Sequence, residues 1–279
     1  ILLFLLFLIP FSFNSYATIE IDITEGNREP LPIAITNFFH DGNEKITNTD
    51  LPSKIRGVIQ NDLESTGLFN SIDEKAFIQE NKSLHLKPRF ADWRLINSQG
   101  LVTGDLKIED DRLKVEFRLW DTLAEKEIEG LVLITTPDNW RRISHMIADK
   151  IYERLTGEEG YFDTRIVYVA EEGPKNNRVK KLAIMDQDGA NHKFLTSGKE
   201  LVLTPRFNPV RQEITYLSYF KNLPRVYLLN IQTGIQEVVG DFPGMTFAPR
   251  FSPDGNKIIM SLAREGNSDI YVMNLNSRV

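Results

Sequence analysis

Phe251-Ser252-Pro253-Asp254-Gly255, followed by the run Lys257-Ile258-Ile259-Met260-Ser261-Leu262, decides the fold because it returns at an offset of 44 residues. Pro205-Arg206-Phe207-Asn208-Pro209 aligns with Pro249-Arg250-Phe251-Ser252-Pro253, and Ile214-Thr215-Tyr216-Leu217-Ser218 with the run from Ile258. Val226-Tyr227-Leu228-Leu229-Asn230 aligns with Ile270-Tyr271-Val272-Met273-Asn274 and recurs upstream as Leu182-Ala183-Ile184-Met185-Asp186. A chance pair of Phe-x-Pro matches would not hold three elements at one offset, so the period marks a repeat architecture. Each unit consists of short β-branched or aromatic runs separated by turn residues, which reads as a small antiparallel sheet. Such sheets arranged radially make a β-propeller. Residues 165–279 hold about two and a half four-stranded blades, with strands expected at Ile166 to Ala170, Lys181 to Met185 and Asn191 to Thr196, around Arg206, Ile214, Val226 and Ile235, and twice after Phe251.

Upstream lies a different pattern. Ile1 to Ile9 is continuously apolar, Pro10 interrupts it, and Ser15-Tyr16-Ala17 offers a small-x-small cleavage site. This reads as a partial signal peptide over residues 1–17, too short before Pro10 to span a bilayer, with Thr18 as the mature first residue and a destination beyond the cytoplasmic membrane. From Thr18, Ile19, Ile21 and Ile23 alternate with Glu20 and Asp22, the pattern of a half-buried strand. That strand either opens the sheet of the following domain or adds to the exposed sheet edge of a partner, where the acidic residues favour a basic edge. Ile33 to Phe39 predicts a second strand. Asp50 to Thr66 predicts a helix with Pro52 near its start, Ile55, Val58, Ile59 and Leu63 on one face, and Gly67 as its stop. A short helix is expected over Ala91 to Asn97. Strands are expected over Leu101 to Ile108, Leu113 to Asp121 and Glu127 to Thr135. A final helix follows Pro137, with Trp140, Ile143, Ile147, Ile151 and Leu155 on one stripe, and ends at Gly157. Residues 18–157 thus read as an α+β domain, a mixed sheet with helices, and 158–164 as a linker.

The chain has 279 residues, 41% hydrophobic and 26% charged, with a net charge of −6 and no run of basic residues, which argues against nucleic acid as a partner. The absence of cysteine excludes disulfides, thiolate catalysis and zinc-thiolate sites. His40, His85, His145 and His192 form no ligand pair, and Arg141, Arg142 and His145 read as the solvated face of the last helix. Asp186-Gln187-Asp188-Gly189 opens like a calcium loop, but Gly189 and Ala190 break the ligand alternation, so a turn is the expected role. Asp254-Gly255 reads as a hairpin turn and Trp93 as core. No G-x-S-x-G, P-loop or G-x-G-x-x-G occurs. No catalytic residue, metal ligand or cofactor is therefore assigned, and the chain reads as a binding scaffold.

The order of leader, α/β domain and repeats resembles the TolB family of the Tol-Pal system. The resemblance runs through Pro32-Ile33-Ala34-Ile35, Asp62-Leu63-Glu64-Ser65-Thr66-Gly67-Leu68-Phe69, Trp120-Asp121-Thr122, the stretch from Ala148 to Gly157, and Phe162-Asp163-Thr164-Arg165-Ile166-Val167-Tyr168-Val169. Its specific part is the α/β domain joined through Leu-Thr-Gly to Thr-Arg-Ile-x-Tyr-Val. The resemblance implies a non-enzymatic periplasmic adaptor with a six-bladed propeller that binds the lipoprotein Pal. It also implies that the α/β domain binds TolA and that a segment at the mature N-terminus regulates the exchange between partners; the alternating residues Thr18, Ile19, Glu20, Ile21, Asp22 and Ile23 are the expected TolA contact within it. Such an adaptor meets the membrane through its partners only. No Pal-binding residue is carried over, because most of a six-bladed ring is not represented.

Two other classes stay open on the residues alone: the propeller of a secreted serine peptidase, whose hydrolase would follow with its own G-x-S-x-G, and a sugar- or lyase-type propeller enzyme with polar groups converging on the axis. The chain reads as a fragment, opening without Met and stopping inside a repeat. The later repeats begin with an aromatic-x-Pro strand, whereas the first begins at Arg165 with the counterpart of a second strand. The complete chain is expected to end in an aromatic-x-Pro segment that pairs beside Ile166 to Ala170 and closes the ring.

Overall fold

The computed structural model describes residues 19–21, 29–40, 50–79, 87–220, 223–239 and 244–278. The leader expected over residues 1–17 lies outside them. The chain divides into two compact units, Ile1–Asp163 and Thr164–Val279.

The first unit is built on a five-stranded sheet. Its strands are β1 (Leu31–Ile35), β2 (Phe69–Ser71), β3 (Gly100–Glu109), β4 (Arg112–Asp121) and β5 (Lys126–Thr135), in the order β2-β1-β3-β4-β5. β1 runs parallel to both of its neighbours, with Leu31 opposite Phe69 and Ile33 opposite Gly100, while β3, β4 and β5 form an antiparallel meander. Helices α1 (Leu51–Ser65) and α3 (Trp140–Thr156) cover one face. In α1, Leu51, Ile55, Ile59 and Leu63 recur at steps of four and are buried. In α3, Ile143, Ile147, Ile151 and Leu155 do the same. They pack on Val115, Phe117 and Leu119, the alternate residues of β4. The short helix α2 (Phe90–Leu95) covers part of the other face, where Phe90 and Trp93 meet Ala34, Leu101 and Trp120.

Two expectations need correction, and one strand has no sequence signal. Ile19 to Ile21 forms no strand among the described residues, although its alternation in burial is as expected. β2 was not anticipated: three residues are too few to show a period. His145 is not on a solvated face. It is 2% exposed, and its Nδ1 lies 2.7 Å from Oδ2 of Asp62, itself fully buried on α1. The isoleucine stripe marks one covered side of α3, whereas α1 packs along its flank and buries Ser144 and His145 as well. Arg142 remains exposed and pairs with Asp163, Nε to Oδ2 3.1 Å.

The second unit contains three antiparallel sheets. The first is β6 (Arg165–Glu172), β7 (Val179–Asp186) and β8 (Lys193–Phe194). The second is β9 (Val202–Phe207), β10 (Glu213–Ser218), β11 (Arg225–Asn230) and β12 (Gln236–Val238), and the third β13 (Met245–Phe251), β14 (Lys257–Arg264) and β15 (Asn267–Asn274). None closes on itself, as in an incomplete propeller. Strand alternation gives the middle sheet two buried faces. Ile214, Tyr216, Tyr227 and Leu229 pack against Leu182 of the preceding sheet, whereas Val226 and Leu228 pack against Ile258, Met260 and Met273 of the following one.

The repeated motifs acquire physical roles here. Asn230 Oδ1 accepts the N–H groups of Gln232 and Thr233, and Asn274 Oδ1 those of Asn276 and Ser277, so this position closes a turn after the third strand of its repeat. In the first repeat Asp186 begins a turn in which Gly189 has φ +87° and Asp188 Oδ1 accepts Ala190 N–H. The Phe-x-Pro strands carry matched irregularities: Thr204 and Ala248, each just before a proline, have φ +48° and +54° beside a register shift. These are β-bulges, which kink and twist the strand.

Candidate functional site

Ile19, Glu20 and Ile21 rest on two elements that end at the same place. β4 ends at Asp121, whose carboxylate is 1% exposed. Its Oδ1 accepts Leu123 and Ala124 N–H at 2.9 and 2.8 Å, organising the β4–β5 turn, and its Oδ2 accepts Ile19 N–H at 2.9 Å. α3 ends at Gly157, left-handed at φ +76°, whose N–H returns to Glu153 C=O. A helix leaves its last carbonyls without intrahelical donors. That of Leu155 accepts Ile21 N–H at 2.6 Å. The segment thus caps a helix and joins no sheet.

Side chains complete the dock. Ile21 is 8% exposed within the core cluster that contains Leu155, and Ile19 packs against that cluster half-buried. Glu20 points outward into a cavity of about 280 Å³ lined by Glu129, Lys150, Glu153, Arg154 and Gly157. Lys150 hydrogen-bonds Glu153, and that bond holds its ammonium above the usual pKa. Arg154 Nε donates to Ile128 C=O at the bulge of β5. Thr18, Asp22 and Ile23 lie outside the described residues, so three of the six residues singled out from the sequence have a place. The sequence does not reveal Asp121 and Leu155 as the dock; Trp120-Asp121-Thr122 stands out in it only as a shared motif.

The energetics of this dock nearly balance. Burying Ile21 contributes about 2 kcal/mol and half-burying Ile19 about 1. Two hydrogen bonds add about 1 kcal/mol each. Ordering three residues costs about 1.5 kcal/mol apiece. Docked and released states therefore lie within a few kcal/mol, a gap that a binding partner can reverse.

The comparisons with known proteins follow the same division. A family model described as the TolB amino-terminal domain matches residues 19–128, and one described as the TolB beta propeller domain matches residues 152–279. The Tol-Pal system protein TolB of Pelagibacter ubique (strain HTCC1062) is 61% identical over 252 residues, 88% of this chain and 56% of that protein. The chain belongs to the TolB family. The crystal structure of TolB from Acinetobacter baumannii superposes with a TM-score of 0.74 at 28% identity, over 94% of this chain and 62% of that one. The chain thus spans a little over half the length of the TolB relatives it matches. An acylaminoacyl peptidase of Pyrococcus horikoshii, 11% identical with a TM-score of 0.34 over 41% of this chain and 22% of its own, lends no weight to a peptidase reading.

Proposed function

We propose that the chain serves as a non-enzymatic periplasmic adaptor of the Tol-Pal system. In this reading the propeller binds the lipoprotein Pal, the segment from Thr18 to Ile23 binds TolA, and the system supports outer-membrane integrity and division. The 61% identity to a Tol-Pal system protein supports the system, and the near-balanced dock of Ile19 to Ile21 carries the mechanism. A segment held by two hydrogen bonds from its backbone N–H groups, one to a carboxylate and one to a helix carbonyl, and by two isoleucines can leave without unfolding the sheet beside it. Docked, it buries Ile21; released, it presents an extended strand with one apolar face to a partner's sheet edge. A partner that favours one state shifts the balance only by its difference in affinity for the two.

The deciding measurement uses the protein beginning at Thr18 and a second form beginning at Thr24. Titration against TolA and against Pal should show TolA binding lost in the shorter form, with Pal binding retained or strengthened. Unchanged affinities for both, with the fold intact, would make the segment a passive cap. Periplasmic delivery is checked by sequencing the exported protein, which should begin at Thr18. Among the described residues no helix is long and apolar enough to cross a membrane.

A further inference from the structure

The Phe-x-Pro repeat does more than build a strand. β9 and β13 each lie at one end of their sheet and pack beside one another. In both, the bulge residue and its following proline bring an arginine to the surface: Arg206 after Thr204-Pro205, and Arg250 after Ala248-Pro249. Each guanidinium is held at one corner in the same way, Nη1 donating to the carbonyl of the preceding proline at 2.8 Å for Arg206 and 2.9 Å for Arg250. Both side chains belong to exposed residues, and neither forms an ion pair among the described residues. Elsewhere in the same unit Arg178 pairs with Glu171, Arg211 with Glu213 and Arg278 with Glu237. Two fixed, uncompensated arginines at one repeat position thus stand on adjacent strands of a chain whose net charge is −6.

We propose that Arg206 and Arg250 form a receiving edge for carboxylate side chains of an acidic segment of a partner protein. A guanidinium presents a planar fork that matches a carboxylate with two parallel hydrogen bonds, and a fork already anchored at one corner loses less freedom on binding. Phosphate sites commonly add a helix N-terminus, and among the described residues of this unit no α-helix is present. Strand addition is disfavoured as well, since Pro205 and Pro249 lack N–H donors and the bulges break the register. What remains for recognition is charge on side chains, repeated from one sheet to the next.

The test titrates a fluorescent hexaglutamate peptide into the whole chain at about 50 mM salt, where exposed charges are weakly screened. Wild type should bind, and the double variant Arg206→Gln/Arg250→Gln should bind at least about tenfold more weakly. The Arg206→Lys/Arg250→Lys pair should fall between them, because lysine keeps the charge and loses the fork. Arg178→Gln, at the exposed pair with Glu171 just before β7, should match wild type. Thermal melts of every variant confirm folding; if the Gln pair does not fold, the Lys pair supplies the comparison. The inference fails if wild type does not bind the peptide, if the folded double variant binds within about twofold of wild type, or if polyphosphate or phosphatidylglycerol vesicles bind and the peptide cannot displace them.

Discussion

At Gly255 two constraints meet. Its φ of +68° favours glycine, and a Cβ would stand 2.3 Å from Oδ1 of Asn208 on the neighbouring sheet. Asn208 is 5% exposed, caps Val210 and Arg211 N–H with that oxygen, and donates from Nδ2 to Gly255 C=O at 3.0 Å. Gly234 has nearly the same φ, +71°, with open space around it. Gly234→Ala should therefore cost about 1 kcal/mol of stability, the left-handed penalty alone, and Gly255→Ala at least about 2 kcal/mol more, read from urea unfolding midpoints. The hydroxyl of Tyr216 poses the opposite case: the side chain is fully buried, and the oxygen meets no hydrogen-bond partner among the described residues. Burial, then Tyr227 and Glu200, push its pKa well up. The folded state therefore keeps its proton longer than the unfolded chain, so stability is whole below about pH 10 and falls as pH rises beyond it. Tyr216→Phe should remove that alkaline loss and leave stability at pH 7 within about 0.5 kcal/mol of wild type or slightly above it. Asp254 runs the other way. The Ser252 hydroxyl, then Asn256, hold its pKa at about 2, so its turn gains stability above the ordinary carboxylate value of 3.8 and loses it on acidification toward 2.

Among the elements, the end of α3 matters most for the proposed switch. Ile21→Ala removes about 2 kcal/mol of burial and should raise the ratio of released to docked segment by roughly thirtyfold, leaving it almost wholly released, with little change in the melting of the sheet. Faster amide exchange at Ile21, with β4 still protected, is the expected readout. The sequence shows the helix that forms this dock clearly, because the isoleucines of α3 repeat at steps of four and Gly157 stops it. It does not show that the N-terminal segment belongs there. The alternation of Ile19, Glu20 and Ile21 specifies one buried and one exposed face, but a strand and a cap present the same alternation. What distinguishes them is Leu155 C=O, a backbone group with no sequence signature. His145 was missed for a related reason, since its burial depends on Asp62, 83 residues away. The bulges at Thr204 and Ala248 were likewise hidden, although the prolines after them were part of the motif.

At the scale of the whole molecule, the repeat region was legible because a fixed offset exposes every strand at once. The first unit was legible only element by element, and its strand order was not. That unit encloses its own core. Residues 18–163 expressed alone should therefore give one cooperative thermal transition, whereas a chain lacking α3 should not. The parallel placement of β1 also has a kinetic consequence. Hairpins such as β14–β15, where Arg264 faces Asn267, join neighbours in the chain. β1 must wait for Phe69 and Gly100 to come round, and distant pairings close slowly. All three tryptophans, Trp93, Trp120 and Trp140, lie in the first unit, two of them in the cluster that covers Ala34 of β1. Refolding followed by indole fluorescence is thus blind to the repeats, and two of its three reporters wait on the arrival of the strand that the rest of the sheet must make room for.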